Sequence, residues 1–160
     1  MKRLVNLLAL LVLSAGVAGT LMAQTQASFV GTWKLNLAKS KYEGAPAPKS
    51  LTRTVTAEGQ GLKYSFEGEA ADGSKISYGF TTNLDGKDSA ITGVGMAGGA
   101  DAVALSKPSA HKISGALKKG GAKIGSVSSA ISTDGKTVTV NTKGKIDGKE
   151  VKTEQVYEKQ

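Results

Sequence analysis

The stretch Leu62-Lys63-Tyr64-Ser65-Phe66-Glu67-Gly68-Glu69-Ala70-Ala71-Asp72-Gly73-Ser74-Lys75-Ile76-Ser77-Tyr78-Gly79-Phe80 holds two runs of strict alternation around an Asp-Gly pair. In the first run Leu62, Tyr64 and Phe66 alternate with Lys63, Ser65 and Glu67. In the second, Ile76, Tyr78 and Phe80 alternate with Lys75, Ser77 and Gly79. A period of two puts the two sets on opposite sides of an extended chain, so each run is a strand with one dry and one wet face. Asp-Gly readily supplies the positive φ angles of a tight turn. The stretch therefore reads as a β-hairpin whose apolar face carries four aromatic rings.

The same grammar extends in both directions. Asp85-Gly86, Asp134-Gly135 and Asp147-Gly148 punctuate further runs, among them Val138-Val140-Thr142 alternating with Thr139-Asn141-Lys143, and helical periodicity does not persist anywhere. The pattern predicts ten strands, near residues 32–37, 50–58, 62–70, 74–84, 88–94, 101–106, 111–118, 123–132, 136–146 and 149–158. Turns of this kind imply an up-and-down meander with sequence neighbours paired, and antiparallel strands in such number hide their edges by closing into a barrel. The fold expected is all-β: one antiparallel meander barrel of about ten strands. Residues 38–49, with Ala45-Pro46-Ala47-Pro48, are expected to cross an end of the barrel as an extended loop. Composition agrees: 160 residues suit one domain, 21 glycines and 5% aromatics suit short strands and tight turns, and 39% apolar with 21% charged residues argues against disorder and against many membrane spans.

Met1-Lys2-Arg3 is a short cationic start to an apolar run over residues 4–17, interrupted only by Asn6, Ser14 and Gly16 and followed by Ala18 and Gly19. That order is the grammar of a secretory signal, and the run is shorter than the roughly 20 apolar residues of a spanning helix. Residues 1–23 are expected to be a signal peptide, with residues 24–160 the remaining domain and no integral membrane span after removal. The chain has no cysteine, which excludes disulfides, thiolate metal sites and a lipid-modified cysteine. A periplasmic or secreted location follows as the expectation. Without Lys2 and Arg3 the formal charge falls from +8 to +6, spread along the chain, and Arg53 is the only arginine beyond residue 3. Nucleic-acid surfaces favour arginine forks and interleaved aromatics, so no nucleic-acid partner is expected.

The two ends of this domain carry a resemblance. Phe29-Val30-Gly31-Thr32-Trp33-Lys34-Leu35 and Gln155-Val156-Tyr157-Glu158-Lys159, on a β meander of this length, resemble the calycin superfamily. The opening has the Gly-x-Trp element of lipocalins and is similar to the start of fatty-acid-binding proteins; the closing strand resembles the Arg-x-Tyr strand of the latter. Gly31-Thr32-Trp33-Lys34-Leu35-Asn36 with Lys39-Ser40 is similar to the opening of exported bacterial lipocalin-like proteins. The resemblance implies a ligand-binding barrel, structural roles for Gly31 and Trp33 at its closed end, and Lys159 laid over the Trp33 ring. Two departures stand out. A proline-containing loop replaces the helical lid of the fatty-acid-binding family, and Gln155 stands where carboxylate-binding members have arginine, which implies a neutral or alcohol-bearing head group.

The inward faces define the candidate site. Tyr64, Phe66, Tyr78, Phe80 and Tyr157 share one internal surface, and Gly115, Ser126, Ser128, Ala130 and Gly144 are placed inward as small residues that leave space. Gln155 shares the face of Tyr157. Arg53 is in phase with Leu51 and Val55, so either an arginine points inward, where it could meet a ligand's polar head, or it sits exposed on a twisted edge; the exposed position suits a lone charge better. The candidate ligand-binding residues are thus Arg53, Tyr64, Phe66, Tyr78, Phe80, Gln155 and Tyr157. Gly93-Val94-Gly95-Met96-Ala97-Gly98 matches a dinucleotide fingerprint in letters only, because no βαβ unit surrounds it; a flexible loop at the barrel mouth is expected there. One histidine, His111, no cysteine and no nucleophile elbow leave no catalytic constellation, no metal site and no cofactor to assign. Two readings follow: a monomeric, non-enzymatic carrier of an apolar or amphiphilic small molecule, or a filled barrel acting as a periplasmic or envelope protein-interaction module.

Overall fold

The computed structural model describes residues 29–146 and 148–160; the expected signal peptide lies outside the described residues. The described chain forms one antiparallel sheet of twelve strands: β1 (Gly31–Leu35), β2 (Lys41–Glu43), β3 (Ser50–Glu58), β4 (Gly61–Glu69), β5 (Lys75–Thr82), β6 (Asp85–Ala90), β7 (Thr92–Val94), β8 (Ala102–Ser109), β9 (Lys112–Lys119), β10 (Ala122–Ile131), β11 (Thr137–Ile146) and β12 (Lys149–Lys159). The alternation around Asp72-Gly73 forms the predicted hairpin: Tyr64 lies opposite Phe80 and Phe66 opposite Tyr78. The strands run in sequence order from β8 to β12. Sheet closure then joins the first and last described strands, with Trp33 of β1 opposite Lys159 of β12 and Leu35 opposite Tyr157.

The strand count is twelve rather than ten, for two local reasons. Lys41–Glu43, expected within the loop, adds a short strand to β12 through Tyr42 opposite Thr153. The predicted run at 88–94 is divided at Ile91. Its first part pairs with β8 and its last three residues pair with β5, so one bent segment bridges the sheet's two ends. The barrel is nearly closed for this reason, since β5 and β6 are consecutive in sequence but not neighbours in the sheet. Asp85-Gly86 correspondingly opens β6 beside a bulge instead of turning a hairpin. The reversal comes earlier, at Leu84, which takes a positive φ of 58° while its N–H is held by the Thr82 hydroxyl oxygen at 3.2 Å.

One end of the barrel is sealed by Phe29, Trp33, Val55, Leu62 and Val138, all fully buried. The Trp33 indole N–H donates to the Phe29 carbonyl at 3.0 Å, which satisfies the polar edge of the ring. Gly31 precedes it with φ +141°, and a Cβ there would stand 3.0 Å from the Lys159 Cε. The Lys159 ammonium passes on to lie 5.3 Å from the Trp33 ring centre. The Gly-x-Trp spacing thus has a physical basis: the glycine leaves room for the lysine stem that covers the tryptophan.

Candidate functional site: the barrel interior

Above the sealed end the barrel encloses a cavity of about 410 Å³, within the range typical of small-molecule sites. Its floor can be read strand by strand. Leu51 and Arg53 of β3 line it while Val55 lies below; Tyr64 and Phe66 of β4 line it while Leu62 lies below; Val140 of β11 lines it while Val138 lies below. Its mouth lies among Pro46 and Pro48 of the loop after β2, Ala71 of the β4–β5 turn, Met96 of the segment after β7, and Ile146 at the β11–β12 hairpin. Ala45, Pro46 and Pro48 of the proline loop border the cavity, and so does the glycine-rich segment 95–98, where positive φ angles at Gly95 and Gly98 leave only a short 3-10 turn at Ala97–Gly99 and no regular helix.

The four rings of the deciding hairpin form one wall. Tyr64 stacks on Phe80 at 4.8 Å between ring centres and Phe66 on Tyr78 at 4.6 Å, with Tyr64–Phe66 at 6.4 Å and Phe66–Phe80 at 6.3 Å completing a continuous surface. Stacking follows from the antiparallel register, which sets these side chains directly across from one another on the inward face. Tyr64 is buried, whereas Phe66, Tyr78 and Phe80 are half-buried and line the cavity.

The polar part of the site is built by three elements. Gln155 donates through Nε2 to the Tyr42 hydroxyl at 3.2 Å and accepts from the Tyr157 hydroxyl at 3.1 Å, so it joins β2 to β12 across the cavity wall. Burial raises the pKa of the Tyr64, Tyr78 and Tyr157 phenols, partly opposed in each case by Arg53; Tyr78 raises that of Tyr157 further. Burial also raises the pKa of Tyr42. All four phenols are therefore neutral hydrogen-bonding groups at physiological pH.

Arg53 corrects the sequence expectation. It is not exposed on an edge but 2% exposed and lining the floor. Its guanidinium carbon lies 5.2 Å from the Tyr157 ring centre, 5.8 Å from Trp33 and 5.9 Å from Tyr64. Burial lowers its pKa, and the neighbouring tyrosines Tyr64, Tyr157 and Tyr78 raise it; a guanidinium nonetheless keeps its proton in proteins. Strand β10 supplies the second correction. Val127 and Ser129 line the cavity, while Ser126 and Ser128 do not and Ala130 is exposed. A bulge between Lys123 and Gly125 inserts one residue and inverts the phase that Ile124 had set. Gly144 lines the site; at Gly115 a Cβ would overlap the Ala104 carbonyl, so that glycine allows close backbone approach and does not open space. Tyr42, Met96 and Ile124 were not singled out by sequence, since each reaches the site from a loop, a short strand or a bulge where alternation gives no phase. His111 is exposed in the β8–β9 turn. Among the described residues no group of three or more His, Asp or Glu could hold a metal ion, and no helix is long and apolar enough to cross a membrane.

No protein-family model and no curated protein matches the chain. Among solved structures, the zebrafish ileal bile acid-binding protein complexed with cholic acid aligns with a TM-score of 0.51 at 13% identity, covering 83% of this chain and 99% of that one. The siderocalin Ex-FABP, described as functioning through dual ligand specificities, aligns at 12% identity over 83% of this chain and 74% of its own, with a TM-score of 0.36. The first likeness, with the nearly closed antiparallel barrel, shows the fold to be that of the calycins.

Proposed function

We propose that this chain is an exported, non-enzymatic binding or carrier protein for a small apolar or amphiphilic molecule held inside the barrel. The observation that carries the reading is the cavity itself: about 410 Å³ of space walled by stacked aromatic and aliphatic side chains above a polar floor. A ligand there is desolvated on its apolar part, which supplies affinity at roughly 25 cal/mol per Å² buried, while the Gln155, Tyr42 and Tyr157 network orients its polar end. An open interior favours this over a filled barrel that works only through its surface. A bile acid-binding protein among the structures of like fold is in keeping with the reading, although a fold does not by itself assign a function. Export rests on the cationic, apolar and small-residue order of residues 1–23.

The test is native extraction of the protein followed by mass spectrometry, together with titration by an environment-sensitive apolar dye. A co-purified amphiphile, and saturable dye binding displaced by long-chain lipids, are the expected results. Absence of saturable binding by well-folded protein would overturn the carrier reading.

A further inference from the structure

We infer that Arg53 anchors an anionic head group, so that the ligand lies head-down, with a carboxylate or similar oxyanion at the cavity floor and its apolar part toward the mouth. The inference rests on the carrier reading and adds the sign of the ligand's charge. It runs opposite to the expectation drawn from Gln155, because the structure places a cation beside Tyr157 from another strand, β3.

Three observations converge on it. First, Arg53 is a buried charge with no counter-charge: no ion pair among the described residues includes it, and its Nε and Nη2 have no hydrogen-bond partner. Removing a guanidinium from water is costly unless an anion or full hydrogen bonding compensates. The faces of Trp33, Tyr64 and Tyr157 hold the group in position, but they carry no net charge and leave its demand for an anion in place. Second, Arg53 is the one charged side chain on the inward face of the lining, which holds no aspartate or glutamate among the described residues, so nothing within the cavity neutralises it. Lys143 and Lys145 alternate out of phase with the inward Val140, Thr142 and Gly144 and are exposed, so an anion entering the cavity meets its cation at Arg53, in a setting of low dielectric. Third, the phenols around Arg53 are neutral donors at physiological pH, and those of Tyr64 and Tyr78 belong to the same lining. A planar guanidinium with neighbouring hydroxyl donors is a suitable receptor for an oxyanion.

The experiment compares three probes of equal chain length by calorimetry: decanoate, decanol and decylammonium. Decanoate should bind about 10- to 100-fold more tightly than decanol, the range for a hydrogen bond to a charged group, and decylammonium more weakly than either. Arg53→Met should remove the preference by weakening decanoate while leaving decanol within about threefold. Arg53 is the only arginine beyond residue 3, so in protein lacking residues 1–23 the single arginine ¹⁵Nε signal is its own, and it should move on adding decanoate and stay in place with decanol. If Arg53→Met does not fold, the probe series and this signal, both read on protein with Arg53 intact, decide the matter. Equal binding of decanoate and decanol with an unmoved Arg53 signal would overturn the anchor and leave the carrier reading standing. Failure of decanoate and decanol alike to bind would remove both.

Discussion

Truncating Phe66 and Leu62 to alanine should reverse the order that side-chain size suggests. Both lie on the inward face of β4, two turns of alternation apart, but Leu62 is fully buried in the sealed end whereas Phe66 is half-buried with its open side on the cavity. A buried leucine truncation costs about 2 to 5 kcal/mol, the higher values applying where the surroundings cannot collapse, so Leu62→Ala is set at about 3.5 kcal/mol. A fully buried phenylalanine would cost about 3 to 5 kcal/mol. At Phe66 one side is already free of packing, and the main loss is the stack on Tyr78 at 4.6 Å, itself worth about 1 kcal/mol; about 2 kcal/mol is expected in all. With a urea m-value of about 1.5 kcal/mol per M, the midpoints should fall by about 2 M for Leu62→Ala and about 1 M for Phe66→Ala. Trp33, the only tryptophan, reports the transition by fluorescence. Dye affinity should behave oppositely, changing several-fold in Phe66→Ala and little in Leu62→Ala. A larger midpoint loss in Phe66→Ala, with dye binding unaltered, would mean that Phe66 is ordinary core and that the wall assigned to the cavity is wrong. Glu67→Ala is the control: its side chain is exposed and accepts from the Ser77 hydroxyl at 2.8 Å, so both readouts should stay near wild type.

Three further outcomes are expected. Gly31→Ala forces a side chain onto a φ of +141° and against Lys159; unfolding should become easier by roughly 1 to 2 kcal/mol, and Trp33 emission should shift as the lysine leaves the ring. Thr82→Val keeps the buried shape but strands the Leu84 N–H, costing about 1 kcal/mol by urea denaturation, and Thr82→Ser should restore most of it. Hydrogen bonds from Ser74 to Asp72, from Lys87 to Asp85, from Ser132 and Lys136 to Asp134, and from Lys39 and Asn36 to Glu158 hold these carboxyls below their ordinary pKa. A depressed carboxyl contributes stability above the usual carboxylate range and loses it as pH falls through the folded-state value. Midpoints should therefore be level from neutral pH to about pH 5 and decline below about pH 4, and Asp72→Asn with Asp134→Asn should flatten the decline; an unchanged slope would refute the assignment.

What the sequence determined by itself is what depends on near neighbours. Alternation in Leu62-Tyr64-Phe66 and Ile76-Tyr78-Phe80, closed by a turn at Asp72-Gly73, settles which rings share a face, because a period of two and a short loop fix the register of a hairpin. The same local rules placed β3, β11 and β12 and set Tyr157 and Gln155 inward. They failed where one residue changes the phase. The bulge at Lys123/Gly125 turned Val127 and Ser129 inward in place of Ser126 and Ser128, and the bend at Ile91 divided one expected strand between two partners. Neither event leaves a mark in composition, since each is decided by how the strand must curve to meet the rest of the barrel. Arg53 is the clearest case. Its parity always pointed inward, yet a lone arginine between Leu51 and Val55 reads as an exception to be moved to the surface. Only closure of the sheet brings Trp33 from β1, Tyr64 from β4 and Tyr157 from β12 around it. The chain keeps a charge in its interior because side chains far apart in sequence converge there to hold it, an arrangement that exists only in the closed barrel.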